Sequence, residues 1–220
     1  LFSACYTICL TLHVKGCLVD TMEKTKKPRG GRPWSFDRQD AIETAMRLFW
    51  RHGYEGVSIS DLTKEIGVAP PSLYAAFGSK AGLYREALER YEANFGAIDS
   101  ASVRAAASLS EAVRTLLEAA VRAVTHPDRE RGCMISSGMI ACHPEHASLA
   151  RDAAVRRQAM RKRIAEAIQP FADPETIHRL ARHLVAVMQG ISIQARDGAT
   201  SAELQEIIED VVLGIEARMS

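Results

Sequence analysis

From Asp37 to its last residues the chain places apolar side chains three and four positions apart, and no run alternates with the period of two that a half-buried strand requires. That pattern restricts it to an all-α architecture. Asp37 reads as the N-cap of a segment carrying Ala41, Ile42, Ala45, Leu48 and Phe49, which Gly53 ends. Ser58 opens a shorter segment with Ile59, Leu62 and Ile66, closed by Gly67. Further helices are expected from Lys80 to about Asn94, over Leu109 to Thr125, from about His146 to Ile168, from Pro174 to about Ala195 and from Ser201 to about Met219. A shorter apolar piece covers Cys133 to Ala141. There is no internal repeat, no glycine-rich phosphate loop and no paired Cys-x-x-Cys, so no cofactor and no structural metal is expected.

The stretch GVAPPSLYAAFGSK, Gly67 to Lys80, holds the most specific local information. Pro71 suits the first position of a helix, where its missing N–H would be an orphan and its φ is already helical. Gly78 supplies a left-handed ending, and Ser79 caps the next helix. So short a helix is not stable by itself. It is therefore an element presented by a scaffold, and with the Ser58 segment it forms a helix-turn-helix signature whose angle Leu62, Ile66, Val68 and Leu73 bury above Phe49 and Phe77. A major groove admits one such helix, read from its N-terminal residues. Pro70, Pro71, Ser72, Ala75 and Ala76 are compact enough for close approach, with Ser72 able to hydrogen-bond a base edge and the alanines to meet thymine methyls. Ser58 and Ser60 add backbone contacts where a helix N-terminus favours anions.

Upstream, Lys24, Lys26, Lys27, Arg29 and Arg32 crowd a segment broken by Pro28, Gly30, Gly31 and Pro33, which reads as a basic arm. The first methionine is Met22, and residues 1–21 have neither a cationic leader nor the length of a membrane span. The functional start is expected at Met22, which leaves Cys133 and Cys142 in a reducing, cytoplasmic setting. The expected organisation is an arm over residues 1–33, a DNA-binding domain over 34–80 and a second helical domain over 81–220. A formal net charge of +1 disfavours a DNA-packaging protein, since binding without sequence preference draws on phosphate neutralisation.

GRP followed by Phe36-Asp37, then LFWRHGYEGVSISDLTKEIGVAPPSLYAAFGSKAGLYREAL, resembles the DNA-binding domain of the tetracycline-repressor (TetR) family of bacterial transcription regulators, over Gly31 to about Tyr91. The resemblance implies a homodimer on a pseudopalindromic operator, usually a repressor, released when a small molecule enters the second domain. It implies phosphate contacts for Tyr74 and Lys80, and places Arg29 and Arg32 beside the minor groove. It also puts Cys133, Met134, Met139, Met160 and Met188 on helices that surround the effector cavity, where methionine suits an adaptable apolar lining. The remaining similarity is generic.

Two features lie outside that resemblance. Cys142, His143 and His146 flank Pro144 and Glu145 and could ligate a metal, sense oxidants or serve an enzyme, but the proline breaks helical spacing and no nucleophile, base and orienting group gather there. The last two predicted helices are apolar on broad faces. Leu184, Val187 and Ile191 on one, with Ile208, Val211 and Val212 on the other, are expected to meet their copies in a four-helix seam.

Overall fold

The computed structural model of the protein describes residues 36–96 and 98–219. Helix α1 (Arg38–His52) starts at Asp37, whose carboxylate accepts the amides of Gln39 at 2.7 Å and Asp40 at 3.1 Å, and Gly53 ends it at φ 73°. Helix α2 (Ile59–Ile66) starts on a reciprocal cap. The Asp61 amide donates to the Ser58 hydroxyl at 3.1 Å, while the Asp61 carboxylate accepts the Ser58 amide at 2.8 Å and its hydroxyl at 2.7 Å. Gly67, left-handed at φ 77°, turns the chain into α3 (Pro70–Phe77). Pro70 rather than Pro71 takes the first helical position, because the extended Ala69 serves as the cap and both prolines fit the first turn. Leu62 and Leu73 are fully buried at the α2–α3 angle, with Phe49 and Phe77 beneath. Ser79 caps α4 (Lys80–Phe95), which packs along α1.

Next come α5 (Ser100–Arg104), α6 (Leu109–Val124), α7 (Met134–Ser137), α8 (Ala147–Ile168), α9 (Pro174–Arg196) and α10 (Ser201–Met219). Helix α5 differs from the sequence expectation: Asp99 caps it, and its one buried apolar residue, Val103, is too little to show a period. The apolar piece from Cys133 to Ala141 forms only one turn, since Gly138 is extended and Met139 takes φ 54°. Helix α6 packs on α10 and α9, α8 on α9, and α5 joins α6 to α8. These described helices contain no strand between them and form one compact unit.

That packing corrects the expected dimer surface. Leu184, Ile191 and Ile208 are wholly buried within the protomer and Val212 nearly so, because α9 lies between α6 and α8 and α10 lies on α6. Burying such a side chain contributes about 1.5–3 kcal/mol. They belong to the core. Only Val187 and Val211 of that set remain half-buried and available to a partner.

Trp50 closes the junction between α1 and the later helices. It is 2% exposed, its ring lies edge-on to Tyr91 at 4.7 Å and tilted against Phe95 at 5.4 Å, and its Nε1–H donates to the Gly132 carbonyl at 3.0 Å. Arg51 adds a two-pronged ion pair to Glu130 at 2.7 and 2.8 Å, and the Arg196 guanidinium donates to the Trp50 carbonyl. Trp50→Phe should lower stability in urea unfolding by about 1–3 kcal/mol, chiefly by leaving the buried Gly132 carbonyl without a donor.

At the far side, Arg114 of α6 grips both oxygens of Glu209 on α10, and that hydrogen bonding depresses the Glu209 carboxyl to about 2. A glutamate in the unfolded chain titrates near ~4.3. With the folded value the lower, the contribution is complete above the unfolded value and is lost as pH falls through about 2. Thermal unfolding followed across that acid range should show a pH dependence that Arg114→Ala reduces.

Candidate nucleic-acid interface and interior cavity

Helix α3 turns Leu73 and Phe77 inward and leaves Pro70, Pro71, Tyr74 and Ala75 exposed, with Ser72 and Ala76 half-buried at the edges. Tyr74 is 45% exposed, which excludes a core role. The two prolines have a consequence for anions. Neither carries an N–H, and the Ser72 amide is already bonded to the Ala69 carbonyl at 3.0 Å, so the start of α3 offers no amide to a phosphate. Its surface there is compact and carries no formal charge. To either side stand exposed Ser58 and Ser60 at the α2 start, where the Asp61 carboxylate already takes the Ser58 amide and hydroxyl, and Lys80 at the α4 start.

Lys80 is half-buried, and its ammonium stands 4.2 Å above the centre of the Tyr54 ring. Burial holds it below the usual lysine range, against the pull of Glu55 and Asp61. Tyr54 in turn packs against Phe49, Tyr84 and His146, so the platform beneath Lys80 is set by both α1 and the start of α8. The sequence reading assigned no role to Tyr54, although GYEG, between two helix signals, placed an aromatic at the turn. Gly82 was also missed as a geometric requirement. A Cβ there would lie 2.1 Å from the Phe77 carbonyl oxygen, so only glycine lets the first turn of α4 close onto the end of α3. Arg29 and Arg32 lie outside the described residues.

Behind α4 is a cavity of about 260 Å³, whose walls include Tyr91, Phe95, Leu116, Cys133, Met160 and Met188. Three of the five residues predicted for a pocket are therefore brought together. Met134 and Met139 are not among them; they border a separate cleft of about 190 Å³ between the end of α1 and α7, Met134 from the α7 turn whose Ile135 and Ser136 line the first cavity, and Met139 from beyond its end. The Cys133 amide donates to the Ser192 hydroxyl at 2.8 Å, and its thiol accepts the Ser136 amide at 3.4 Å. Burial pushes the Tyr91 hydroxyl well above the usual phenol range, and the adjoining Cys133 thiol adds to the shift.

The segment from Cys142 to His146 makes contacts between elements instead of a reaction centre. The His143 amide donates to Glu55 at 2.7 Å, Glu145 lies between His143 and His146, and the His146 ring meets Tyr54 at 4.8 Å. Among the described residues no three histidine, cysteine or acidic side chains are grouped to hold a metal, and Cys133 and Cys142 are free. None of the described helices is long and apolar enough to cross a membrane.

Residues 41–87 match the profile of the bacterial regulatory proteins, tetR family. The HTH-type transcriptional repressor ComR of Escherichia coli (strain K12) is 34% identical over 86% of this chain and 92% of its own length. The HTH-type transcriptional repressor BdcR of the same strain is 30% identical over 87% and 98%. Among solved structures, a cysteine mutant of the TetR family transcriptional regulator CifR, complexed with 26-base-pair double-strand operator DNA, superposes with a TM-score of 0.76 at 32% identity, covering 83% of this chain and 98% of that one. With a match to the family profile and at least 30% identity along nearly the full length of such relatives, the chain belongs to the TetR family of bacterial regulatory proteins.

Proposed function

We propose that the protein is a sequence-specific transcriptional repressor that binds operator DNA as a homodimer in the cytoplasm and is released by a small molecule. The observation that carries this is the division of labour around α3: a compact exposed face without charge or free amides, flanked by Ser58 and Ser60 on one side and Tyr74 and Lys80 on the other. Such a face suits base edges, and its flanks suit phosphates. Residues 34–80 form the reading head and 81–220 the sensing and dimerising part, with Arg29 and Arg32 reaching the neighbouring minor groove. The repressor names of ComR and BdcR and the operator complex of CifR support the reading.

Release follows from the position of the cavity. Tyr91 and Phe95 line it, and Trp50 of α1 packs on the same two rings. A ligand that displaces this part of α4 displaces α1 and the helices it supports, changing the spacing of the paired reading helices. Selection of bound fragments from random duplex DNA tests sequence preference directly, and retention of all sequences alike would instead favour non-specific binding.

Tyr74→Phe and Lys80→Ala should weaken operator and unrelated DNA alike, by about five- to tenfold for the lost hydroxyl bond, and Lys80→Ala should reduce the slope of log affinity against log salt by about 1. Fluorescence anisotropy at several salt concentrations reads both quantities. A shift in the preferred base at one position, with the slope unchanged, would contradict the phosphate assignment.

For the dimer, half-buried Leu180 and Val187 on α9 and Ile207 and Val211 on α10 are among the apolar residues the core does not wholly enclose, alongside exposed Ile193 and Leu213, and Gly190 and Gly214 have open space where a Cβ would stand. Glutamate at both Val187 and Val211 should leave a folded monomer in sedimentation and reduce operator affinity by about a hundredfold or more through loss of the second half-site. A doubly substituted protein that stays dimeric and binds normally would place the interface elsewhere.

A further inference from the structure

The most buried hydroxyl-bearing residue lining the 260 Å³ cavity is a serine with nothing to bind. Ser136, on the single turn of α7, is 3% exposed and lines the cavity, and among the described residues its hydroxyl has no hydrogen-bond partner; only its backbone amide is engaged, by Cys133. The hydroxyl is open to the cavity, where an oxygen on a ligand can pair with it. The Tyr91 hydroxyl lies beside the Cys133 thiol.

Charge is confined to the rim. Asp99 is exposed and accepts the Ser102 amide at 3.1 Å, and Arg122 is exposed and paired with Glu118 at 3.6 Å. No charged side chain lines the interior, so an ionised ligand would be desolvated there without a counter-ion. Apart from half-buried Thr115, the wall is largely hydrocarbon, aromatic and thioether, with Phe95, Leu116, Ala120, Met160 and Met188. At the packing density of protein interiors such a volume accommodates about ten to fifteen non-hydrogen atoms.

We infer that the ligand of this cavity is a neutral, largely hydrocarbon molecule of that size bearing one hydroxyl or carbonyl oxygen, and that Ser136 is the residue that selects for the oxygen. The inference rests on reading this cavity as the effector site, and narrows it to a chemical class. Ser136→Ala removes the hydroxyl while keeping shape and backbone, so selectivity is separable from fold.

The test uses three aromatic probes of matched shape, naphthalene, 2-naphthol and 2-naphthoate, titrated calorimetrically into the full chain. The wild-type protein should bind 2-naphthol about five- to tenfold more tightly than naphthalene, and at least about tenfold more tightly than the carboxylate. Ser136→Ala should erase the preference for 2-naphthol over naphthalene and leave naphthalene binding unchanged. Ala120→Phe, which fills the cavity, should abolish binding of all three while circular dichroism shows the same helix content. The inference is overturned if the wild type does not bind 2-naphthol, if 2-naphthoate binds as tightly, if Ser136→Ala leaves the preference intact or weakens both neutral probes equally, or if 2-naphthol still binds the filled variant. Operator binding measured on the same preparations keeps the two readings apart. A protein that binds DNA but fails these titrations loses only the ligand class, and one that binds the probes but no operator loses the repressor reading.

Discussion

The rest of the structure depends on how one indole is buried. Trp50 sits where α1, α4 and the 130–133 turn converge, and it satisfies each differently: two aromatic rings on α4, one carbonyl on the turn, and through its own carbonyl the guanidinium at the end of α9. An indole has a single donor, so the Gly132 bond fixes the orientation of the ring as well as its depth. Helices α1 and α4 are thus held to the 130–133 turn and the end of α9 through a group that cannot slide without exposing or unpairing something. The neighbouring Arg51–Glu130 pair has good geometry, but Arg51 is 61% exposed at its side chain and such a pair contributes little in water. It sets orientation more than strength.

The flanks of α3 show a second constraint. Most helix starts carry free amides and attract anions whether or not a specific contact is wanted. Here prolines at the first two positions and the Ser72–Ala69 bond remove that attraction from the helix that would enter the groove, leaving phosphate binding to elements with fixed positions on either side. Lys80 is an example of such fixing. Its stem is half-buried and its charge rests on the Tyr54 ring, so less side-chain entropy is lost on meeting a phosphate than a free lysine would lose. Tyr54 also touches His146, which makes the lysine platform a second place where the reading head and the later helices meet.

The helices were legible because their signals are local. Asp37, Ser58 and Ser79 all cap where the side-chain chemistry demanded, and Gly53, Gly67 and Gly78 all terminate with positive φ. The exposed face of α3 followed from the same reading, since Leu73 and Phe77 are the residues that must go inside. What could not be read was the choice between two destinations for an apolar side chain. Leu184, Ile191, Ile208 and Val212 are as apolar as a dimer seam requires, yet the fold spends them on the protomer core, and only the three-dimensional placement of α6 and α8 decides that. Met134 and Met139 line another cleft for a related reason: the single turn of α7 divides its residues between two cavities, Met139 follows the bend at Gly138, and nothing in the identity of a methionine reports which wall it joins. Ser136, a buried residue whose hydroxyl faces the cavity, looks in sequence like any serine in a short turn.

These magnitudes bear on how a small ligand could control a large surface. Changing DNA affinity a hundredfold requires a coupling free energy of only about 2.7 kcal/mol. The junction at Trp50 holds one buried hydrogen bond, worth about 1–3 kcal/mol when its acceptor is left unpaired, and aromatic contacts of about 0.5–1.5 kcal/mol each. Disturbing that junction is therefore enough, and no rearrangement of the α2–α3 core is needed. The wall that a ligand meets is the same pair of rings that Trp50 meets from behind, and the Cys133 that borders the cavity directly follows Gly132, whose carbonyl holds the indole. A ligand in the cavity would thus meet this junction twice, through the rings and through the backbone. A two-sided contact of this kind favours discrete over graded displacement, as expected of a close-packed interior with alternative arrangements.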